Sequence, residues 1–208
     1  MTVLRTGEGA GTTVLLAHGA GAAMDTPFMT GIAGALAAEG LRVVRFEFAY
    51  MAARRSGGSR RPPPKVHLLE DEFREAIAAL DCDGPLIIGG KSMGGRVASL
   101  IAGDLHAPGQ VQGLLCLGYP FHPTGKPETL RTAHLENMAC PTLICQGTRD
   151  PFGTQAEVAG YVLAEQITVH WLNDGDHDFK PRKRVTGLTQ EDHLKEAARV
   201  AAHWAQAL

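Results

Sequence analysis

Short, predominantly apolar runs recur along this chain, and each gives way to a stretch of turn or helical pattern. The runs are 12–17, 41–48, 85–89, 111–117, 141–146 and 167–172. Continuous apolar runs of this length are strands buried on both faces, and their alternation with helices makes a parallel sheet covered on each side. The expected fold is α/β: a three-layer α/β/α sandwich around a mostly parallel sheet of about six or seven strands. No linker or internal repeat interrupts the pattern. Residues 1–208 are therefore read as one domain, and 208 residues suit a single well-filled core.

The helices carry their own punctuation. Thr26 caps a helix with Pro27 at its first position, Phe28, Ile32 and Leu36 form its apolar stripe, and Gly40 ends it. Val66, Leu69, Phe73, Ile77 and Leu80 recur at helical spacing. A further helix follows the glycine-rich turn at 89–95 and runs through Ile101. Thr154 and Glu157 make a capping box, and Thr189 starts a terminal helix with Leu194, Ala198, Ala201 and Trp204 on one face. Residues 49–65 break the pattern. Their basic part, with Arg54, Arg55, Arg60, Arg61 and Lys65 among glycines, serines and prolines, reads as an exposed, solvated loop. Contact with an anionic substrate is the alternative for that segment.

Charge and cysteine usage narrow the function classes. Twenty basic against 22 acidic residues give a formal charge of -2, with no push toward nucleic acid or an anionic membrane as partner. The basic run Lys180, Arg182, Lys183, Arg184 does not change that balance. No apolar run approaches the ~18 residues of a membrane helix. The first residues lack a basic start followed by an apolar stretch, so no secretory signal is expected. Cys82, Cys116, Cys140 and Cys145 match no zinc or redox spacing. Cys116 and Cys145 sit inside apolar runs as buried thiols, and a cytoplasmic location is expected.

Three glycine-rich turns follow strands. His18-Gly19-Ala20-Gly21 approaches a dinucleotide fingerprint, but Met24 stands where close helix packing wants Gly or Ala. Gly90-Lys91-Ser92 mimics a phosphate-binding loop, but Pro85 occupies its leading glycine position. The same stretch, Gly90-Lys91-Ser92-Met93-Gly94, fits G-x-S-x-G with a strand before and a helix after, the context of a nucleophile elbow. The motif needs nearly side-chain-free residues on both sides of the serine, because strand and helix pass close together there. The third turn, 146–153, carries Asp150, and the loop after the last strand carries Asp174, Asp176, His177 and Asp178.

Parallel strands end on one sheet edge, so Ser92, Asp150 and His177 can converge although they are far apart in sequence. Their chain order is nucleophile, acid, histidine. The three carboxylates flanking His177 are too close in sequence to orient its ring, which leaves Asp150. Backbone N–H groups of Met93 and Ala20 are placed to hold an oxyanion. His18, Gly21, Tyr119, Phe121 and His122 are the candidate substrate contacts, the last three from the loop after the fourth strand.

On these motifs, together with Gly94-Gly95-Arg96, the segment 117–123, the segment 146–153 and Gly175-Asp176-His177-Asp178-Phe179, the chain resembles the α/β-hydrolase superfamily over essentially its whole length. More narrowly it resembles a small cap-less family that includes a testis-expressed hydrolase-like protein and a domain of a nonspecific-lethal complex subunit. The superfamily implies Ser92 as nucleophile, His177 as base and Asp150 as acid. The narrower family has no settled substrate, and some of its relatives act as binding or scaffold modules. The N-terminus is short for the superfamily. The leading antiparallel hairpin is expected to be reduced or absent, leaving six parallel strands with room for one extra edge strand. The expected activity is hydrolysis of a small ester-like substrate through an acyl-enzyme, with no metal or organic cofactor. Its rivals are a non-catalytic interaction module and a cofactor-free perhydrolase using the same triad.

Overall fold

The computed structural model describes residues 2–8, 11–58 and 62–208. Arg60 and Arg61 of the basic segment lie outside the described residues. Seven strands form one sheet: β1 (Val3–Thr6), β2 (Thr13–Ala17), β3 (Arg42–Phe46), β4 (Leu86–Lys91), β5 (Gly113–Leu117), β6 (Thr142–Gly147) and β7 (Ile167–Leu172). Their spatial order is β1-β3-β2-β4-β5-β6-β7. Only β1 is antiparallel, pairing with β3, so six parallel strands carry one short extra edge strand.

Seven helices accompany the sheet among the described residues: α1 (Pro27–Ala38), α2 (Ala49–Arg55), α3 (Val66–Ala78), α4 (Met93–His106), α5 (Gln155–Val158), α6 (Lys183–Thr186) and α7 (Gln190–Gln206). Period-two alternation along the central strands divides the core in two. Val14, Leu16, Ile87 and Leu143 pack with Phe28, Ile32 and Leu36 of α1 and Leu194 and Ala198 of α7. Leu15, Ala17, Ile88 and Ile144 pack with Leu69 and Phe73 of α3 and Val97 and Ile101 of α4. Phe46 and Phe73 meet edge to face at 4.9 Å. Burying each such side chain contributes about 1.5–3 kcal/mol. The caps read from sequence are made: Thr26 accepts from the Met29 N–H, and Thr154 and Thr189 both close capping boxes.

Two elements differ from the sequence expectation. The pattern break at 49–65 begins with α2, so Arg54 and Arg55 are helical rather than loop residues. This helix buries only Met51, so it has no periodicity to detect, and its start is capped from afar by Glu72, which accepts the Ala49 N–H at 2.6 Å. The helix expected to run through Ile101 continues to His106, because Leu105 extends the buried stripe one turn past Ile101.

The ends of β2, β4, β6 and β7 share one edge, and α4 approaches it closely. A Cβ on Gly94 would sit 2.6 Å from the Ala17 carbonyl oxygen and 2.7 Å from that of His18. Both obstacles are backbone, so no rotamer change relieves them. Gly94→Ala is expected to destabilise the protein by about 1–3 kcal/mol in urea unfolding, the usual cost of overpacking. Gly103→Ala, in the same helix with open space around its Cβ position, is expected to be neutral or to stabilise by up to about 1 kcal/mol.

Candidate active site

Ser92 sits between β4 and α4 with φ 51° and ψ -114°, a conformation that a non-glycine residue holds only when its surroundings force it. The force is local. Its N–H donates to Leu117 O at 3.0 Å, continuing the β4–β5 ladder, and its carbonyl already accepts the Arg96 N–H of the first turn of α4. A strand bond behind and a helix bond ahead leave one sharp turn between them, with the side chain at its apex.

His177 lies in the turn after β7. Its Nδ1 is 2.8 Å from Asp150 Oδ2. Asp150 is fully buried, and its other oxygen accepts the Phe152 N–H at 2.9 Å. Gln146 Nε2 donates to Asp150 Oδ2 at 3.0 Å. A carboxylate accepts only, so this network assigns the proton of His177 to Nδ1 and leaves Nε2 as the acceptor. The Phe152 ring covers the imidazole at 4.4 Å between centroids.

The three carboxylates flanking His177 are otherwise engaged. Asp174 is bound by the Arg182 guanidinium and by Arg149, and the Arg182 hydrogen bonds hold its pKa down at about 2. Asp176 Oδ1 accepts the N–H groups of Asp178 and Lys180, both at 2.9 Å. Asp178 lies 3.6 Å from Lys91 Nζ. From α7, His193 bonds the Phe179 carbonyl at 2.8 Å and Gln190 bonds that of Asp178 at 2.7 Å. The histidine loop is thus fixed from several sides, and Asp150 alone among the described carboxylates reaches the ring.

On the opposite wall, His18 Nδ1 bonds Gly19 O at 2.7 Å, while its Nε2 accepts the Phe48 N–H at 3.2 Å. Gly19 O belongs to the peptide whose N–H is Ala20's. In a trans peptide the two point in opposite directions, so this bond also aims the Ala20 N–H. The Tyr50 hydroxyl donates to Ala20 O at 2.9 Å and fixes the next peptide. Burial raises the Tyr50 pKa to about 12 and keeps it a donor. Met93 opens α4, so its N–H has no helical acceptor behind it. Arg55 pairs with Glu47 and Asp25 and braces the end of this turn, since Glu47 also accepts the Met24 N–H.

Ser92, His177, Ala20 and Gly21 line one cleft of about 260 Å³, with Phe28, Met29 and Phe152 as its apolar walls and Lys91 and Asp178 at its polar end. Ser92 and His177 face the same space without sharing a hydrogen bond here. Such bonds often tighten only when substrate is bound. Among the described residues, no group of three or more His, Cys, Asp or Glu could hold a metal ion, and no helix is long and apolar enough to cross a membrane.

Four of the expected substrate contacts lie elsewhere. Tyr119 and Phe121 are fully buried core residues, and Tyr119 donates to Arg131 O at 3.0 Å. His122 is buried with Nδ1 on Pro123 O at 2.9 Å. The chain turns inward because Gly118 takes a positive φ and Gln146 clamps both the N–H and the carbonyl of Tyr119. His18 is also buried, and it holds backbone rather than facing the cleft. The sequence reading missed Phe28, Met29 and Phe152 as cleft walls, because the α1 stripe looked like core alone. It also passed over Lys91, whose signal was a lysine inside a strand with no exposed position.

A family profile described as an alpha/beta hydrolase domain matches residues 10–206. Among solved structures, the chain is similar to Est1E from Butyrivibrio proteoclasticus with ferulic acid bound, at 14% identity and TM-score 0.70, covering 100% of this chain and 96% of that one. It is similar to a dienelactone hydrolase from Anabaena variabilis at 22% identity and TM-score 0.69, covering 99% and 91%. A lidless α/β serine hydrolase from Xanthomonas campestris matches at 20% identity and TM-score 0.61, covering 91% and 82%. These identities carry the fold, a seven-stranded sheet with no cap. The family match spans nearly the whole sequence, and on it the chain belongs to the alpha/beta hydrolase domain family.

Proposed function

We propose that this hydrolase cleaves a small ester or related acyl substrate through Ser92, His177 and Asp150. The observation that carries the reading is the 2.8 Å bond from His177 Nδ1 to the buried Asp150, set across a cleft from a strained Ser92. Ser92 Oγ attacks the carbonyl carbon as its proton passes to His177 Nε2. The tetrahedral oxyanion is held by the N–H groups of Met93 and Ala20, each worth about 3 kcal/mol. The leaving alcohol takes the proton from His177. Water, deprotonated by the same nitrogen, then releases the acid from the acyl-enzyme. The resemblance to a lidless serine hydrolase is in keeping with this scheme.

Ser92→Ala is expected to lower turnover by ~10⁴ or more with the fold intact. Asp150→Asn is expected to cost ~10⁴ through loss of the tautomer, and Asn at 174, 176 or 178 far less. A p-nitrophenyl ester series decides it. Activity surviving in folded Ser92→Ala would sink the mechanism.

The cleft, about 260 Å³, lies below the ~300–1,000 Å³ of drug-sized ligand sites. Acetyl and propionyl esters are expected to outperform octanoyl ones in kcat/KM. A chain longer than the cleft leaves its extra methylenes in water and gains none of the ~0.8 kcal/mol each would yield when buried.

Burial lowers the His18 pKa below its usual value, and burial, then Arg96, lowers that of His134 to about 4. Each resists protonation in the fold more than in the unfolded chain, which takes up protons below about 6.5. Stability therefore falls as pH drops below that value. His18→Asn is expected to flatten the fall in urea midpoint between pH 6.5 and 5. It should also lower turnover by at most the ~10²–10³ of one oxyanion donor. An unchanged slope would count against the assignment.

A further inference from the structure

Lys91 precedes the candidate nucleophile, is buried, and has no part in the chemistry described above. Its Nζ donates to the carbonyl oxygen of His177 at 2.6 Å. The ammonium also lies 3.6 Å from Asp178 Oδ1 and 5.1 Å from the centre of the Phe28 ring. Among the described residues this is the one side-chain hydrogen bond between the elbow at 90–95 and the histidine loop at 174–180. Every other bond to that loop comes from the turn after β6, from the end of β7, from Arg182 ahead of α6, from α7, or from the loop itself. Those bonds place His177 relative to Asp150. They do not place it relative to Ser92.

We propose that Lys91 is a positioning residue whose ammonium holds the histidine loop in register with the nucleophile elbow, and that turnover depends on its charged form. The inference rests on the serine-hydrolase reading above. A buried ammonium is costly, and an apolar side chain of similar length would fill the space without that cost. Fold stability therefore does not account for a lysine here. Registration of two loops does, because a misplacement of about 1 Å between reacting groups can cost 10²-fold in rate.

The charged groups around Lys91 are few. Asp178 and Asp176 face it from the histidine loop and Asp150 from the turn after β6, while α1 presents the Phe28 ring. Burial outweighs these carboxylates and lowers the Lys91 pKa to about 8. Above that pH the amine is neutral. It can still donate one hydrogen bond to His177 O, but it loses the attraction to Asp178 that keeps it in place. Stability responds in the opposite sense. The unfolded chain keeps its proton up to about 10.4, so the penalty of the buried charge fades as pH rises from 8.

The test is turnover of p-nitrophenyl acetate and Ser92 labelling by a fluorophosphonate, both followed across pH 6.5–9.5. Wild type should lose activity above a midpoint near pH 8. Lys91→Met should lower kcat by ~10–100-fold with KM within about twofold, lose the alkaline limb, and keep a thermal midpoint at pH 7 at least equal to wild type. Asp178→Asn, which leaves the lysine in place, should move the limb to lower pH, because the carboxylate that raises the lysine's pKa is gone. If Lys91→Met and Asp178→Asn both keep the wild-type profile while Ser92 labels normally, Lys91 has no positioning role. If Ser92 in wild type does not label and no ester is turned over, the serine-hydrolase reading fails, and this inference with it.

Discussion

The cleft depends on how closely α4 can approach the end of β2. Ala17 pairs with Gly90 in the sheet, and a Cβ on Gly90 would collide with the Ala17 carbonyl and the start of α4. Gly94 meets the same carbonyl from the helix side. With both side chains reduced to hydrogen, β4 can turn into α4 within one residue, and Ser92 takes the positive φ that this turn demands. The close approach also brings the His18–Gly19 peptide against the start of α4 at Gly94. One steric condition, met by two glycines, therefore sets the position of Ser92 and of the Met93 and Ala20 N–H groups proposed to hold the oxyanion.

The structure contains a second Ser–His pair that shows what such a pair lacks outside a site. Ser99 Oγ and His134 Nε2 are 2.8 Å apart. Ser99 lies inside α4 in ordinary helical geometry and also bonds the Arg96 carbonyl at 2.7 Å. Among the described residues no carboxylate bonds His134, and burial together with Arg96 depresses its pKa to about 4. A base that weak cannot hold the serine proton at neutral pH. His177 has the buried Asp150 behind it and open space in front. The carboxylate behind the histidine and the strained backbone of the serine separate the two.

The sheet was legible because its strands are continuous apolar runs, and their order follows from crossovers that leave few alternatives. The residues of the proposed triad were legible for a related reason. Ser92, Asp150 and His177 each follow a strand, and parallel strands end on one edge, so position in sequence became position in space. Tyr119, Phe121 and His122 follow a strand too, yet they turn inward. Strand position alone could not reveal that, because the turn depends on Gln146, a side chain on the neighbouring strand that bonds both backbone groups of Tyr119. The helix at 49–55 was hidden because a short helix anchored by one buried residue has no period. Its Tyr50 was hidden with it, although that hydroxyl fixes the Ala20 peptide.

Gln146 shows how the buried polar part of the site is kept in order. Its amide is fully buried and uses both ends: Oε1 takes the Tyr119 N–H at 2.7 Å, and Nε2 reaches Tyr119 O at 3.1 Å and Asp150 Oδ2 at 3.0 Å. An unpaired carboxylate in this position would be costly, since a buried charge without partners loses its hydration with nothing in return. Here Gln146, the Phe152 N–H and His177 share its lone pairs. The same amide that turns Tyr119 into the core therefore also supports Asp150. The inward turn of the 118–122 segment and the placement of Asp150 are one packing solution. With the aromatic segment turned away, the apolar sides of the 260 Å³ space come from Phe28 and Met29 of α1, from Phe152 and from the alanines of the turn after β2.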